Sequence, residues 1–514
     1  MTAPRGFIFF ALVTFTVGLM LKYASEMTSS NPLIRKPPWQ QIAKDKRLAD
    51  LAKIPPSWRL GDSILKDAKK RSSIVGDFID ELLDEDSRRI TGLDVSDLIS
   101  MMGNKSLTAV ATVSAFSKRA AYVHQLTQNM LEIGFDLALR RAEELDEHFE
   151  RTGNLVGPLH GIPLTLKDQF HIKGLGTSMA YVGWIDTFEG KTGTGKEKVF
   201  ESQIIKDFYA LGAIPLGKTS LVTSLWSPET NNNILGYQWN PHNQRLSSGG
   251  SSGGEAVMQA MRGSAFGIGT DIGGSVSMPA SYNGVFSIKP SSGRMSMKGV
   301  ANTAQGQQVM PTTLGIMAHS ASTLRLVLES VLSKEQWRED PYVVPLPWRD
   351  PEERQPKADT SSAEITFGLM KADGIVTPHP PVSRALKIVE QALREAGHQL
   401  LDWQPPSNGI SDKIHGPVAR GDGCPDVWEA LQLSGEPPVP QIARLFEGGG
   451  PKPPIPLPEY EDVVVLMKEY RTNYQEYWAS SATRTLSGQP VSAVIQPVSP
   501  YAAVLPGKFY YSAR

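Results

Sequence analysis

Three stretches of the chain carry residue types able to act on an acyl group. Ser251 lies in SSGGSSGGE (residues 247–255), Ser275 closes GTDIGGS (269–275), and Lys167 ends the apolar run IPLTLK (162–167). A serine set among glycines offers its hydroxyl beside backbone N–H groups that no Cβ shields, which is what an oxyanion hole requires. Within DIGGS the two glycines therefore make Ser275 the preferred nucleophile. A lysine at the end of an apolar strand is desolvated, so its pKa falls toward that of a working base. Together these parts would perform acyl transfer. Taken singly, each also has a plainer reading: a glycine turn, a linker-like run, a solvated lysine. Asp168 could pair with Lys167, although neighbours on a strand point to opposite faces.

Such loops need a rigid sheet behind them, and the pattern supplies one. From residue 155 onward, Gly- and Pro-punctuated apolar runs at 162–166, 214–216, 265–268 and 285–288 alternate with helical stretches, which predicts an α/β sheet covered on both faces. A helix is expected from Glu255 to Met261, directly after the Ser251 loop. Upstream, residues 72–150 show helical spacing, with apolar positions recurring every three or four residues through 120–142. Downstream, a polar, Pro-rich connector at 333–363 leads to a second strand and helix at 365–370 and 381–396. A Pro/Gly loop at 448–458 then precedes an amphipathic helix at about 460–479.

Composition excludes several classes. With 52 basic and 53 acidic residues the formal net charge is −1, so bulk electrostatics do not favour nucleic acid. The one cysteine, Cys424, excludes an intrachain disulfide framework and has no metal-ligand companion. Residues 7–21 form an apolar run between Arg5 and Lys22. A full span needs about 20 residues, so this run suits a signal-peptide core or shallow anchor better. Residues 1–25 are accordingly set apart from a single domain at 26–514, and membrane contact through 7–21 is left open.

The ordered set HGIPLTLKD (160–168), GGSSGGE (249–255), GTDIGGS (269–275) and Lys289-Pro290 resembles the amidase signature family over residues 39–511. PPWQQIA (37–43), ETNNNILG (229–236) and DGIVTPHPP (373–381) are similar to its fungal acetamidase-type branch, which fatty-acid-amide hydrolases also resemble. The resemblance implies a three-layer α/β/α fold with a central mixed sheet, and hydrolysis of a small-molecule amide to an acid and ammonia or an amine. It further implies a Ser-Ser-Lys triad: Ser275 attacks, Ser251 relays the proton and neutral Lys167 receives it. Backbone N–H groups of Ile272, Gly273, Gly274 and Ser275 hold the oxyanion, the Gly250–Ser251 peptide is cis, and no cofactor or metal is required. Lys218 is expected to be a structural strand-end residue.

Departures from the family pattern keep other readings in view. The position two after Ser275, commonly arginine, is Ser277, and the usual Gly-Pro-Met-Ala-Arg-Ser is here GIMAHS (315–320). A lost guanidinium removes a rigid hydrogen-bonding fork. Family members continue for several dozen residues beyond the equivalent of Arg514, so missing late strands are expected. A catalytically weak amidase-like binding protein, an amidotransferase subunit and a homodimer are the alternatives carried forward. Other motifs lose on chemistry. GKTGTGKE (190–197) puts Glu197 where a phosphate loop needs Ser or Thr, and SILK (63–66) lacks the companion motifs of penicillin-recognising hydrolases. No G-x-S-x-G elbow accompanies His160, His242 or His319.

Overall fold

A computed structural model describes residues 37–349, 365–406 and 408–509. The apolar run at 7–21 lies outside the described residues. No described helix is long and apolar enough to cross a membrane.

The central sheet has six strands: β1 (Met130–Ile133), β2 (Pro163–Lys167), β3 (Ile214–Thr219), β4 (Phe266–Asp271), β5 (Phe286–Ile288) and β6 (Thr313–Ala318). Their spatial order is β1-β3-β2-β4-β6-β5. β2 runs parallel to both β3 and β4, whereas β1, β6 and β5 are antiparallel to their neighbours, so the sheet is mixed as expected. Helices flank it. Before β1 come α1 (Trp39–Ala52) and α2 (Ala109–Thr127); α3 (Phe135–Thr152) follows β1, and further along lie α4 (Gln203–Ala210), α5 (Gly253–Ala260), α6 (Ser277–Asn283) and α7 (Ala321–Leu332). A second sheet of three parallel strands, β7 (Thr366–Leu369), β8 (Gln399–Asp402) and β9 (Ala493–Ile495), has β7 at its centre. The later helices are α8 (Pro380–Glu395), α9 (Ser411–Arg420), α10 (Pro425–Gln432) and α11 (Leu457–Ser480), of which α10 packs with Tyr181, Val182 and Leu221.

Strand alternation divides the labour of the central sheet. Leu164 and Leu166 of β2, Phe266 and Ile268 of β4, and Leu314 and Ile316 of β6 join Val113, Phe116 and Val123 of α2 in the main core. The intervening positions, Thr165, Lys167, Gly267, Gly269 and Gly315, belong to the other face. That face is bare because α5 must sit directly upon it. A Cβ at Gly267 would run into the Glu255 carboxylate, and one at Gly269 would lie 2.8 Å from Ser252 Oγ. The glycines thus let the helix that follows Ser251 lie close on β4, beside the strand that carries Lys167.

One expectation fails. The helical spacing at 120–142 is not one helix: α2 ends at Gln128, whose backbone is left-handed (φ 51°), and β1 intervenes before α3 begins. All four β1 residues are buried, Glu132 included, so the apolar Met130, Leu131 and Ile133 satisfied a helical template and a buried-strand template equally.

Candidate active site

β2 is flanked by strands on both sides, so Lys167 at its end is wholly buried. Its Nζ lies 2.7 Å from Ser251 Oγ and 3.0 Å from Thr270 Oγ1. Burial lowers Lys167 to about 7, against a smaller opposing pull from the Asp271 carboxylate. Near neutral pH a large fraction is therefore the free amine.

The hydrogen-bond directions around Nζ can be assigned from donor and acceptor inventory. Gln169 Nε2 donates to the Ala301 carbonyl at 2.8 Å, which leaves Oε1 facing Thr270. Oε1 can only accept, so the Thr270 hydroxyl donates to it, at 2.5 Å. Thr270 Oγ1 must then accept an N–H from Lys167. Of the two hydroxyls touching Nζ, only that of Ser251 is free to give it a proton.

Ser251 sits in the loop before α5, and the Gly250–Ser251 peptide is cis. Ser275 lies in the turn between β4 and α6. Asp271 shapes that turn by accepting the N–H groups of Gly274 and Val276, both at 2.7 Å. The Ser252 N–H donates to the Ser275 carbonyl at 3.1 Å, tying the two serine loops together. Ser251, Thr270 and Ser275 all line one chamber of ≈ 30 Å³. A larger cavity of ≈ 430 Å³ adjoins it, sharing Leu225, Trp226, Ile272 and Ser275, and meets Gly273, Met278, His415, Arg420 and Phe509.

Gly274 needs correcting as an oxyanion donor, because its N–H is committed to Asp271. The N–H groups of Ile272, Gly273 and Ser275 engage no acceptor among the described residues. Asp168 does not pair with Lys167. It forms a fully buried ion pair with Lys218, which also donates to Thr177 Oγ1 at 2.9 Å, while Asp168 Oδ2 accepts from Ser178 Oγ at 2.6 Å. His160 accepts the Val156 N–H within its own loop, and His242 faces the Asn283 carbonyl at the end of α6. Burial drives His319 down to about 3.

Sequence reasoning missed Thr270, Gln169, Asp271 and Glu255 as shapers of the site. Glu255 is fully buried, binds Thr165 of β2 and Thr219 of β3 (the latter at 2.8 Å), and is raised by burial to about 7. A glutamate inside an otherwise uncharged helix start was the available signal.

A family model described as "Amidase" matches residues 111–412. An acetamidase of Aspergillus oryzae is 38% identical over 478 residues, covering 92% of this chain and 84% of that protein. An acetamidase of Emericella nidulans is 36% identical over 479 residues, covering 92% and 83%. Among solved structures, fatty acid amide hydrolase superimposes with a TM-score of 0.80 at 28% identity, covering 94% of this chain and 80% of that one.

Proposed function

Because the chain belongs to the amidase signature family and is an amide-hydrolysing enzyme, we propose that it works through an acyl-enzyme on Ser275, with Ser251 as proton relay and Lys167 as base. The observation that carries this reading is the 2.7 Å contact between a buried, depressed lysine and a serine whose chamber also holds Ser275.

Ser275 Oγ bonds to the carbonyl carbon as its proton passes to Ser251 Oγ, and the Ser251 proton passes to Lys167 Nζ. The N–H groups of Ile272, Gly273 and Ser275 receive the developing oxyanion. The carbon–nitrogen bond then breaks, Ser251 protonates the departing nitrogen, and Lys167 returns the proton to Ser251. Water repeats the sequence in reverse roles to free the acid. Acetamide, from the name of the two fungal relatives, is the first substrate to try.

Ser275→Ala removes the covalent route and is expected to lower kcat by about 10³-fold or more. Fluorophosphonate labelling of the wild type should map to Ser275 and vanish in the variant. Comparable turnover by Ser275→Ala would reject the mechanism.

A further inference from the structure

The ≈ 430 Å³ cavity beside Ser275 offers far more room than acetamide fills, and the charge on its wall has one sign. Arg420 and Arg444 line it, Arg420 also lines a second cavity of ≈ 280 Å³ together with Lys452, and no aspartate or glutamate among the described residues lines either space. Asp422, the acidic residue nearest to Arg420 in the chain, borders a different cavity, and its carboxylate accepts the Cys424 N–H at 2.9 Å. Arg420 is half-buried and forms no ion pair among the described residues. Its helix faces the nucleophile turn: His415 of α9 stands against Gly273, with Nε2 3.0 Å from where a Cβ there would be. Arg420 Nη2 lies 3.5 Å from the corresponding point on Gly416. The guanidinium therefore folds back along α9 toward His415, the direction that long helical side chains take.

We propose that the preferred substrate is an amide carrying a carboxylate apart from the scissile bond, and that Arg420 is the residue that holds this carboxylate. A planar guanidinium donates parallel hydrogen bonds to both oxygens of a carboxylate, and half-burial strengthens the pair relative to one in open water. Trp226, Met278 and Phe509 give the same cavity an apolar wall for the methylenes between the two ends of such a molecule. The carboxylate can belong to either half of the amide: to the acyl group, as in the half-amide of a dicarboxylic acid, or to the amine, as in an N-acyl amino acid. The proposal rests on Ser275 as nucleophile, because that reading makes the cavity beside it a substrate site.

The test compares kcat/KM for carboxylate amides with that for neutral amides of matched length in the wild type, Arg420→Gln and Arg420→Lys. Succinamate and glutaramate against butanamide and pentanamide place the charge on the acyl half. N-acetylglycine and N-acetyl-β-alanine against N-ethylacetamide and N-propylacetamide place it on the amine half. In the wild type one of these series should exceed its neutral partners by about tenfold or more, the scale of a hydrogen-bonded charge, and the series that does so identifies the half. Arg420→Gln should remove most of that ratio. Arg420→Lys keeps the charge without the fork and should retain part of it. The wild-type ratio should also shrink as salt rises from about 0.05 M to about 0.5 M, a reading that needs no variant to fold. Carboxylate amides no better than their neutral partners in both series would overturn the proposal, and so would a folded Arg420→Gln with the wild-type ratio. Failure of the underlying mechanism looks different: no amide is turned over and fluorophosphonate does not label Ser275, while calorimetry still detects glutarate on the wild type and not on Arg420→Gln.

Discussion

Two hydroxyls contact the Lys167 amine, and the fate of a proton depends on which one is free to give it. Gln169 removes Thr270 from the contest by accepting its hydrogen. Activity should therefore fall as pH drops through about 7, where Lys167 gains its proton. Replacing Gln169 with Met takes the acceptor away, so the Thr270 hydroxyl can turn its hydrogen onto Nζ. That favours the neutral amine and moves the acid limb of kcat/KM to lower pH, by about one unit, while Thr270 competes for the lone pair and slows turnover about tenfold. Gln169→Glu sets a carboxylate near the ammonium and moves the limb upward. A residue that only held the fold together would lower Tm in both variants and shift the limb in neither. Ser275, Ser251 and Lys167 could be singled out as candidates because glycine flanks and an apolar strand end are local signals, while the roles proposed for them came from the family resemblance. Thr270 and Gln169 could not, since their role appears only when β4 and the loop after β2 lie side by side.

At the scale of elements, the fit of α5 against β2 and β4 decides whether Ser251 reaches Lys167. The parallel strands and α5 were predicted within a few residues, because Gly/Pro punctuation and β-rich runs announce them. β1 was lost inside a helical template, and the lone charge at the start of α5 did not by itself say that Glu255 would reach Thr165 of β2 and Thr219 of β3. Burial raises that carboxyl to about 7 from an ordinary value near 4.5. The folded chain therefore binds more protons than the unfolded one between those values, and stability falls as pH rises from about 4.5 to about 7. Glu255→Gln abolishes that loss. Its amide can donate to Thr219 Oγ1, which then donates to the Leu166 carbonyl it already approaches at 3.4 Å. The variant is expected to gain roughly 2–3 kcal/mol relative to wild type between pH 5 and pH 8, read from denaturant unfolding at both values. Parallel pH dependence in the two proteins would mean that the wild-type carboxyl is ionised throughout.

Across the whole molecule, the end of the described chain is a wall of the site. After β9 closes the second sheet, residues 499–509 return to the loops of the first. The Val504 carbonyl accepts the Ser247 N–H at 2.8 Å, the Gly507 N–H donates to Glu229 at 3.0 Å, and Ser499 Oγ lies 3.2 Å from the Tyr282 hydroxyl. Tyr501 and Val504 pack on Tyr282 at the end of α6, and Phe509 lines the large cavity beside Ser275. No sequence pattern marks this return, because a Pro/Gly-rich coil carries no period to read and its partners lie more than two hundred residues upstream. Deleting residues 501–514 strips the buried side chains of Tyr501 and Val504 from Tyr282 and leaves the Ser247 amide without its acceptor. The expected loss is about 3–5 kcal/mol of stability from the two side chains alone, seen as a clear drop in Tm. Turnover should fall on every amide, since both serine loops lose support at once. The acid limb of the pH profile should stay in place, because none of these contacts touches Lys167, Thr270 or Gln169. A truncated chain with unchanged Tm and turnover would show that the site stands without this wall; a displaced limb would show that the wall reaches the base.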